Sequence, residues 1–547
     1  MRKKLALLNP AIFAIYSVLF LYAHNIAETP IELVYKPLAY SILATVVTTL
    51  ILALAIRNST KTAFMASIVA LIFFTHGHLV QLFPTEFNID LKILQIGTDK
   101  LLFVSELFLI SLGIQIARLG RSLYGVKGGT FVEKFNQLFF IMSIVLLLSS
   151  LFTILNHKPN TKQTSNPALH DASRALHEMD RPALSVAIKP DIYYLIFDRY
   201  AANSTLASEL DYDNSEFTNY LDAKGFYVTD RSVANYPKTF QSLASSLNMT
   251  YLSHLTDEYG KESEEQTPIN SMLDKHQVGL ILKELGYSYY HLGSWWFPTA
   301  DNTLADDVYS WSFLGLDQFS REFLQTTLAL PVLAKMQAVE FNEENYLRVE
   351  QKLRIPAKLK KLEQITKTKS GPKFVFVHML LPHGPYIYDQ AGNHITEADV
   401  AAQSDSTSYL NQLIYSNKVI QDIVDNILLN SESEPIIIVQ SDEGPCGIIP
   451  ELAEDDGWGH CGEDMDWRTL SDNALKVKMR ILNAYYLPGM DMQETLYSEI
   501  SPVNTFRVIF NNYFGAQLDL LEDKSYITVD LEHPYNFIEV TSKVDYN

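Results

Sequence analysis

Five stretches in the first 155 residues, at roughly 6–24, 38–56, 63–83, 101–117 and 136–155, run apolar with hardly a charge. Each is close to the ~20 residues that a helix needs to cross a bilayer, so each predicts a transmembrane span. Beyond residue 190 the pattern changes. Short β-branched and aromatic runs, "DIYYLIFD" (191–198), "GFYVTD", "YSYYHLG", "KFVFVHML" (373–380) and "PIIIVQ" (435–440), alternate with helical stretches near 205–223, at "TFQSLASSLNMTYL", over 268–285 and over 410–428. In the last of these, Leu410, Leu413, Ile414, Ile420, Ile423, Val424, Ile427 and Leu428 fall at helical spacing, as on a helix packed against a sheet. Alternating strands and helices predict an α/β domain, its mostly parallel sheet covered by helices on both faces. Between the two parts, "NHKPNTKQTSNPALHDASRALHEMDRPALSVAIKP" is polar and proline-punctuated, which reads as a tether. The expected organisation is a five-span transmembrane domain over 1–155, a tether over 156–190 and a large extracytoplasmic domain over 191–547.

Charge orients this arrangement. Residues 1–160 carry 13 Lys/Arg against 7 Asp/Glu, and the rest of the 547-residue chain 30 against 56. The basic residues Arg2, Lys3, Lys4, Arg57, Lys61, Arg118, Arg121, Lys127 and Lys134 fall in alternate connections, whereas Glu28, Glu32, Glu86, Asp90 and Asp99 fall in the others. The positive-inside bias puts the N-terminus in the cytoplasm, and an odd number of spans then sends the C-terminal domain out of it. The expected location is the cytoplasmic (inner) membrane, multi-pass. So acidic an outer part argues against nucleic acid as a partner. His76 and His78, near the outer end of the third span, read as end residues.

Polar residues then collect at strand ends. Asp198 ends the first strand, His378 and His383 lie at and after "KFVFVH", and Asp442 with Glu443 end "PIIIVQSDEGP". In a parallel sheet those ends share one edge, where open α/β folds place their ligands, and carboxylate with imidazole suits a divalent metal. Thr239 in "NYPKTFQSLASS" follows a proline-bearing turn and opens a helix. It reads either as an N-cap or as a nucleophile placed where unpaired N–H groups favour developing negative charge.

An Asp at the end of the first strand, "T-x-x-S-L" opening a helix, "H-x-x-x-P-H-x-P" after one strand and "S-D-x-G" after another resemble the sulfatase/alkaline-phosphatase superfamily. With the N-terminal spans, the resemblance narrows to its membrane-anchored branch, the lipoteichoic acid synthases and phosphoethanolamine transferases. It implies a sulfatase-like outer domain, with Asp198, Thr239 and Asp442 as metal ligands and Thr239 as the nucleophile. His383 is implied on the substrate side, with His378 beside it, and a further family histidine is placed on His460 in "GWGHCG". The chain departs from the family at Glu443, where a metal-binding His is usual. A second carboxylate leaves either a modified site, harder and oxygen-rich and suited to Mn²⁺ or Mg²⁺ rather than Zn²⁺ unless His460 supplies a nitrogen, or the remnant of one. The Cys or Ser of the "C/S-x-P-x-R" motif that formylglycine chemistry needs is absent around Thr239.

The expected reaction is metal-dependent transfer of a phospho-alcohol headgroup from a membrane lipid to an envelope glycan or lipid. The alternatives are an extracytoplasmic phosphodiesterase or phosphatase, and a catalytically inactive sulfatase-like sensor or scaffold. Cys446 and Cys461, the two cysteines of the chain, are expected to be bridged in an oxidising compartment.

Overall fold

The computed structural model describes residues 5–82, 128–157, 189–312, 315–329, 343–369, 371–453, 465–530 and 532–546. The chain divides into two compact units, one of Met1–Pro159 with Leu316–Glu343 and one of Asn160–Gly315 with Glu344–Asn547.

The first unit holds helices long and apolar enough to cross a membrane at Ala6–His24, Ile31–Ile56, Ser59–Leu79 and Val132–Asn156. The span expected at 101–117 lies outside the described residues, as does most of the tether. Several polar side chains in these helices hydrogen-bond to backbone carbonyls, as an apolar solvent favours. Ser17, Thr45 and Ser67 donate to carbonyls four residues back, while Asn9 donates to Asn136 O (3.0 Å) and Asn136 to Thr60 O (2.8 Å), tying helices together. The helix Gln318–Gln325 belongs to this unit because Phe319 and Phe323, four apart on one face, join the cluster of Phe13, Val18, Tyr22 and Phe74. At Gly77 the packing is backbone to backbone. Its N–H donates to Thr326 O (3.0 Å), and a Cβ there would lie 2.4 Å from Gln325 O, so no larger residue fits.

The second unit is built on a seven-stranded sheet. Its strands are β1 (Ile192–Phe197), β2 (Tyr227–Val228), β3 (Ser288–Leu292), β4 (Asp307–Val308), β5 (Lys373–Met379), β6 (Ile436–Gln440) and β7 (Asn483–Tyr486), in the order β2-β7-β6-β1-β5-β3-β4. The central strands are parallel, with Ile196 level with His378 on one side and Gln440 on the other; β7 and β2 add an antiparallel edge. The continuous apolar runs follow from burial on both faces. Tyr193, Leu195 and Phe197 enter one core, which the long helix Asp405–Asn430 covers through Leu413, Ile420, Val424 and Ile427. Ile192, Tyr194 and Ile196 enter the other, with Leu243, Leu247, Phe506 and Phe510 of two further helices. The sheet is therefore mostly parallel and sandwiched by helices, as the alternation implied.

Two expected helices are broken. The stretch 205–223 is two helices, Asn203–Leu210 and Ser215–Ala223, because Asp211 takes a left-handed conformation (φ 48°). The stretch 268–285 breaks after Asp274, and His276 caps the second piece by accepting from Gly279 N.

Candidate active site

The site grows from the carboxyl-terminal edge of the central strands. Asp198 follows β1, and its N–H bonds Met379 O of β5 (3.0 Å). Arg199 then turns the chain in the left-handed region (φ 64°). This turn is laced to the one after β6: Tyr200 N–H donates to Ser441 Oγ (2.8 Å), and the Ser441 hydroxyl donates to Glu443 O (2.7 Å). Tyr409 of the long helix braces the same turn, donating to Arg199 O (2.8 Å) and accepting from Ala201 N (3.1 Å). Asp198 and Asp442 are thereby held at adjoining strand ends.

His378, the penultimate residue of β5, places Nε2 3.2 Å from Asp198 Oδ2. One donor atom each from Asp198, His378 and Asp442 lie within 4.8 Å of one another, all three residues buried. Thr239 opens the helix Thr239–Asn248, with Lys238 in the cap position and no side-chain cap bond, so its hydroxyl is not used as an N-cap. The first helical bond of this turn is Ser242 N–H to Lys238 O (2.9 Å), which leaves the N–H groups of residues 239–241 ahead of the ladder. The Thr239 hydroxyl faces Asp442 closely enough to favour its ionised form, though short of full hydrogen-bond geometry.

Electrostatics divide the three acids of the site. Burial, then the charge of Glu443, pushes the Asp198 carboxyl up to about 7, against the pull of Arg199 and Lys478. Burial, then Asp198 and Glu443, pushes Asp442 up to about 8, while burial pushes His378 down to about 4. Asp198 Oδ1 and both Asp442 oxygens are buried without a hydrogen-bond partner. Facing carboxylates with unclaimed lone pairs, beside a neutral imidazole, form a donor set that fits a divalent cation.

Glu443 lies outside this trio. Its Oε1 accepts from Arg199 Nε (3.0 Å) and Lys478 Nζ (2.7 Å). Burial works against its ionisation, but Lys478 and Arg199 outweigh burial and hold the carboxyl below its usual range. Lys478 is brought in by Gly444, whose N–H donates to Lys478 O (2.7 Å) and where a Cβ would stand 2.2 Å from Val477 O. The Glu443 carboxylate is thus paired with two cations.

His383 sits in the loop after β5. Its N–H bonds Asp198 O (3.2 Å), its Nδ1 is 2.5 Å from Gly384 O, and Gln412 donates to its carbonyl (2.8 Å). It is half-buried beside the trio rather than part of it. His460 lies outside the described residues. Cys446 is disulfide-bonded, in a chain with one other cysteine, Cys461. The sequence reading missed Arg199 and Lys478. Arg199 carried a usable signal, standing directly after Asp198 in "FDRY" as a charge complement to the unexpected Glu443.

The sequence model of the Sulfatase family matches residues 191–467, just over half of the chain, and the chain belongs to that family. Among solved structures, the C-terminal periplasmic domain of EcEptC from Escherichia coli is similar over 64% of this chain and 93% of its own, at 14% identity and a TM-score of 0.39. The periplasmic domain of phosphoethanolamine transferase EptC from Campylobacter jejuni is similar over 63% and 95%, at 15% identity and 0.36. The integral membrane lipooligosaccharide phosphoethanolamine transferase A from Neisseria meningitidis is similar over 91% and 94%, at 12% identity and 0.33. No curated protein matches the sequence.

Proposed function

We propose that this protein transfers a phospho-alcohol headgroup, of phosphoglycerol or phosphoethanolamine type, from a membrane lipid to an envelope glycan or lipid through a covalent intermediate on Thr239. One observation carries the reading: the Thr239 hydroxyl, not used as a cap, stands at a helix N-terminus against Asp442 of the Asp198–His378–Asp442 trio. A threonine cannot become formylglycine, so in this family its oxygen suits phosphoryl transfer.

Thr239 Oγ1 attacks phosphorus as its proton passes to the facing Asp442 carboxylate, which returns it when Thr239 is freed, and the lipid alcohol leaves as the new P–O bond forms. The N–H groups ahead of the helical ladder receive charge developing on the phosphoryl oxygens. His383 protonates the leaving alcohol and then takes the proton of the incoming one, whose attack on phosphothreonine frees Thr239. A divalent ion on Asp198, His378 and Asp442 supplies a lowered hydroxyl pKa and charge neutralisation. Glu443 keeps Arg199 and Lys478 paired beside this chemistry. An outward domain behind membrane spans suits a donor drawn from the outer leaflet.

The test uses the full chain in detergent with a mixed-lipid donor. Mass spectrometry should find a phospho-alcohol adduct on Thr239 that is chased by an added alcohol acceptor and absent in Thr239→Ala and after chelation. Wild-type turnover in Thr239→Ala would overturn the mechanism. Turnover at equal rates with and without acceptor would make the protein a phosphodiesterase instead.

A further inference from the structure

A string of buried hydrogen bonds reaches the His378 ring from the side opposite the two aspartates. It starts at a helix terminus, where Gly279 N–H donates to His276 Nδ1 (2.9 Å). A backbone N–H can only donate, so Nδ1 carries no proton, and the neutral ring presents Nε2–H to the Tyr289 hydroxyl (3.0 Å). Tyr289 therefore donates to His291 Nδ1 (3.0 Å), and His291 Nε2–H donates to Thr299 O (2.8 Å). Each direction follows from the one before it, and the result fixes the Thr299 backbone. The fit is close: a Cβ at Gly293 would lie 1.8 Å from Thr299 O. The Thr299 side chain then stands with Oγ1 2.9 Å from His378 Nδ1 and 2.8 Å from Ser294 Oγ, which also accepts from Trp296 N (3.1 Å).

We propose that Thr299 is the positioning residue for His378: its hydroxyl sets which ring nitrogen faces Asp198 and Asp442, and Ser294 lets it serve either tautomer. This rests on the reading of Asp198, His378 and Asp442 as a metal centre. Without a cation, Nε2–H donates to Asp198 Oδ2, Nδ1 accepts from Thr299, and Ser294 donates to Thr299. With a cation on the trio, Nε2 offers its lone pair, Nδ1–H donates to Thr299, and Thr299 donates to Ser294. The imidazole releases one proton from Nε2 and gains one on Nδ1, so its charge is unchanged. Two hydroxyl hydrogens rotate, and no heavy atom has to move.

The test is Mn²⁺ titration of the detergent-solubilised full chain by calorimetry. Thr299→Val removes the hydroxyl and should weaken binding about ten- to hundred-fold, the range of lost partners to metal-bound histidines. Thr299→Ser should restore most of that affinity, and Ser294→Ala should lose less than Thr299→Val. A merely structural role would lower the unfolding midpoint in chelator without producing this order. Wild-type affinity in Thr299→Val, or equal losses in the Val and Ser variants, overturns the proposal, and so does a wild-type chain that binds no Mn²⁺. If Thr299→Val is too unstable to titrate, Ser294→Ala against Thr299→Ser decides, since the first should lose more affinity than the second. Metal binding that depends on Thr299 in a chain that transfers no headgroup upholds the positioning role and sinks phosphotransfer alone.

Discussion

Asp198 and Asp442 on one side of the site and Glu443 on the other are buried alike, at 2%, 1% and 2% exposure, yet reach opposite electrostatic states. Each keeps at least one unclaimed oxygen, but the aspartates face each other and resist ionisation, whereas Glu443 has drawn in two cations on Oε1 and ionises readily. Burial sets the same cost for all three, so partners decide the outcome. Glu443 carries its counter-charges within the protein; the aspartates leave room for one from outside.

The sharpest way to break this contrast is to replace one carboxyl on each side by its amide. Glu443→Gln leaves Arg199 and Lys478 buried around a neutral amide, and losing one side of a buried ion pair costs on the order of 3–5 kcal/mol. Asp442→Asn replaces a carboxyl that burial already keeps largely protonated, and should leave the cation-free protein no less stable while abolishing metal binding. Denaturant unfolding of both variants in chelator checks the pair. Equal destabilisation would mean that the two sides are not electrostatically distinct.

A smaller effect should appear as a pH profile. The aspartates, raised to about 7 and about 8 from 3.8, hold protons in the folded state that the unfolded chain has released. Their contribution to stability is full below about pH 4 and lost as pH rises through 7 to 8. His276, His291 and His378, lowered by burial to about 3, 4 and 4 from 6.5, contribute fully above 6.5 and less as pH falls below it. The cation-free protein should therefore be most stable near pH 6.5, losing on the order of 2 kcal/mol by pH 8. Bound Mn²⁺ should remove that alkaline loss, and unfolding midpoints with and without Mn²⁺ at pH 6.5 and 8 measure it.

The smallest effect concerns the lacing that brings the two sides together. Ser441→Ala strips the bond to Tyr200 N–H and should cost about 1–2 kcal/mol, seen in the same unfolding assay, with weaker Mn²⁺ binding as the turns of Asp198 and Asp442 loosen. Unchanged affinity would show that the turns hold without it.

Much of this contrast could be read from sequence because its framework is local. Strands β1, β5 and β6 are continuous apolar runs, buried on both faces, and the acids and histidine at their ends announce a shared edge. The fate of Glu443 was not local, since its partners lie 244 and 35 residues away in the chain. The strand β4 has two residues, too short for any periodicity. The helix Glu343–Thr366 was hidden by charge: Arg348, Glu350, Arg354 and Lys358 are buried along it, which a polar pattern does not suggest. Asp211 broke an expected helix with a left-handed turn that no glycine marked. The helix Gln318–Gln325 joins the first unit through Phe319 and Phe323, two aromatic residues too few to announce a packed face in so short a helix.

The central claim is that one divalent ion binds Asp198, His378 and Asp442 and that Glu443 is not a ligand. Pulsed electron paramagnetic resonance on the Mn²⁺-loaded full chain tests it most directly, because a coordinated imidazole imprints ¹⁴N modulation on the Mn²⁺ echo. The account predicts one Mn²⁺ per chain with that modulation, lost in His378→Gln and retained in folded Glu443→Gln. Modulation that survives His378→Gln, or Mn²⁺ that is lost with Glu443, would contradict it.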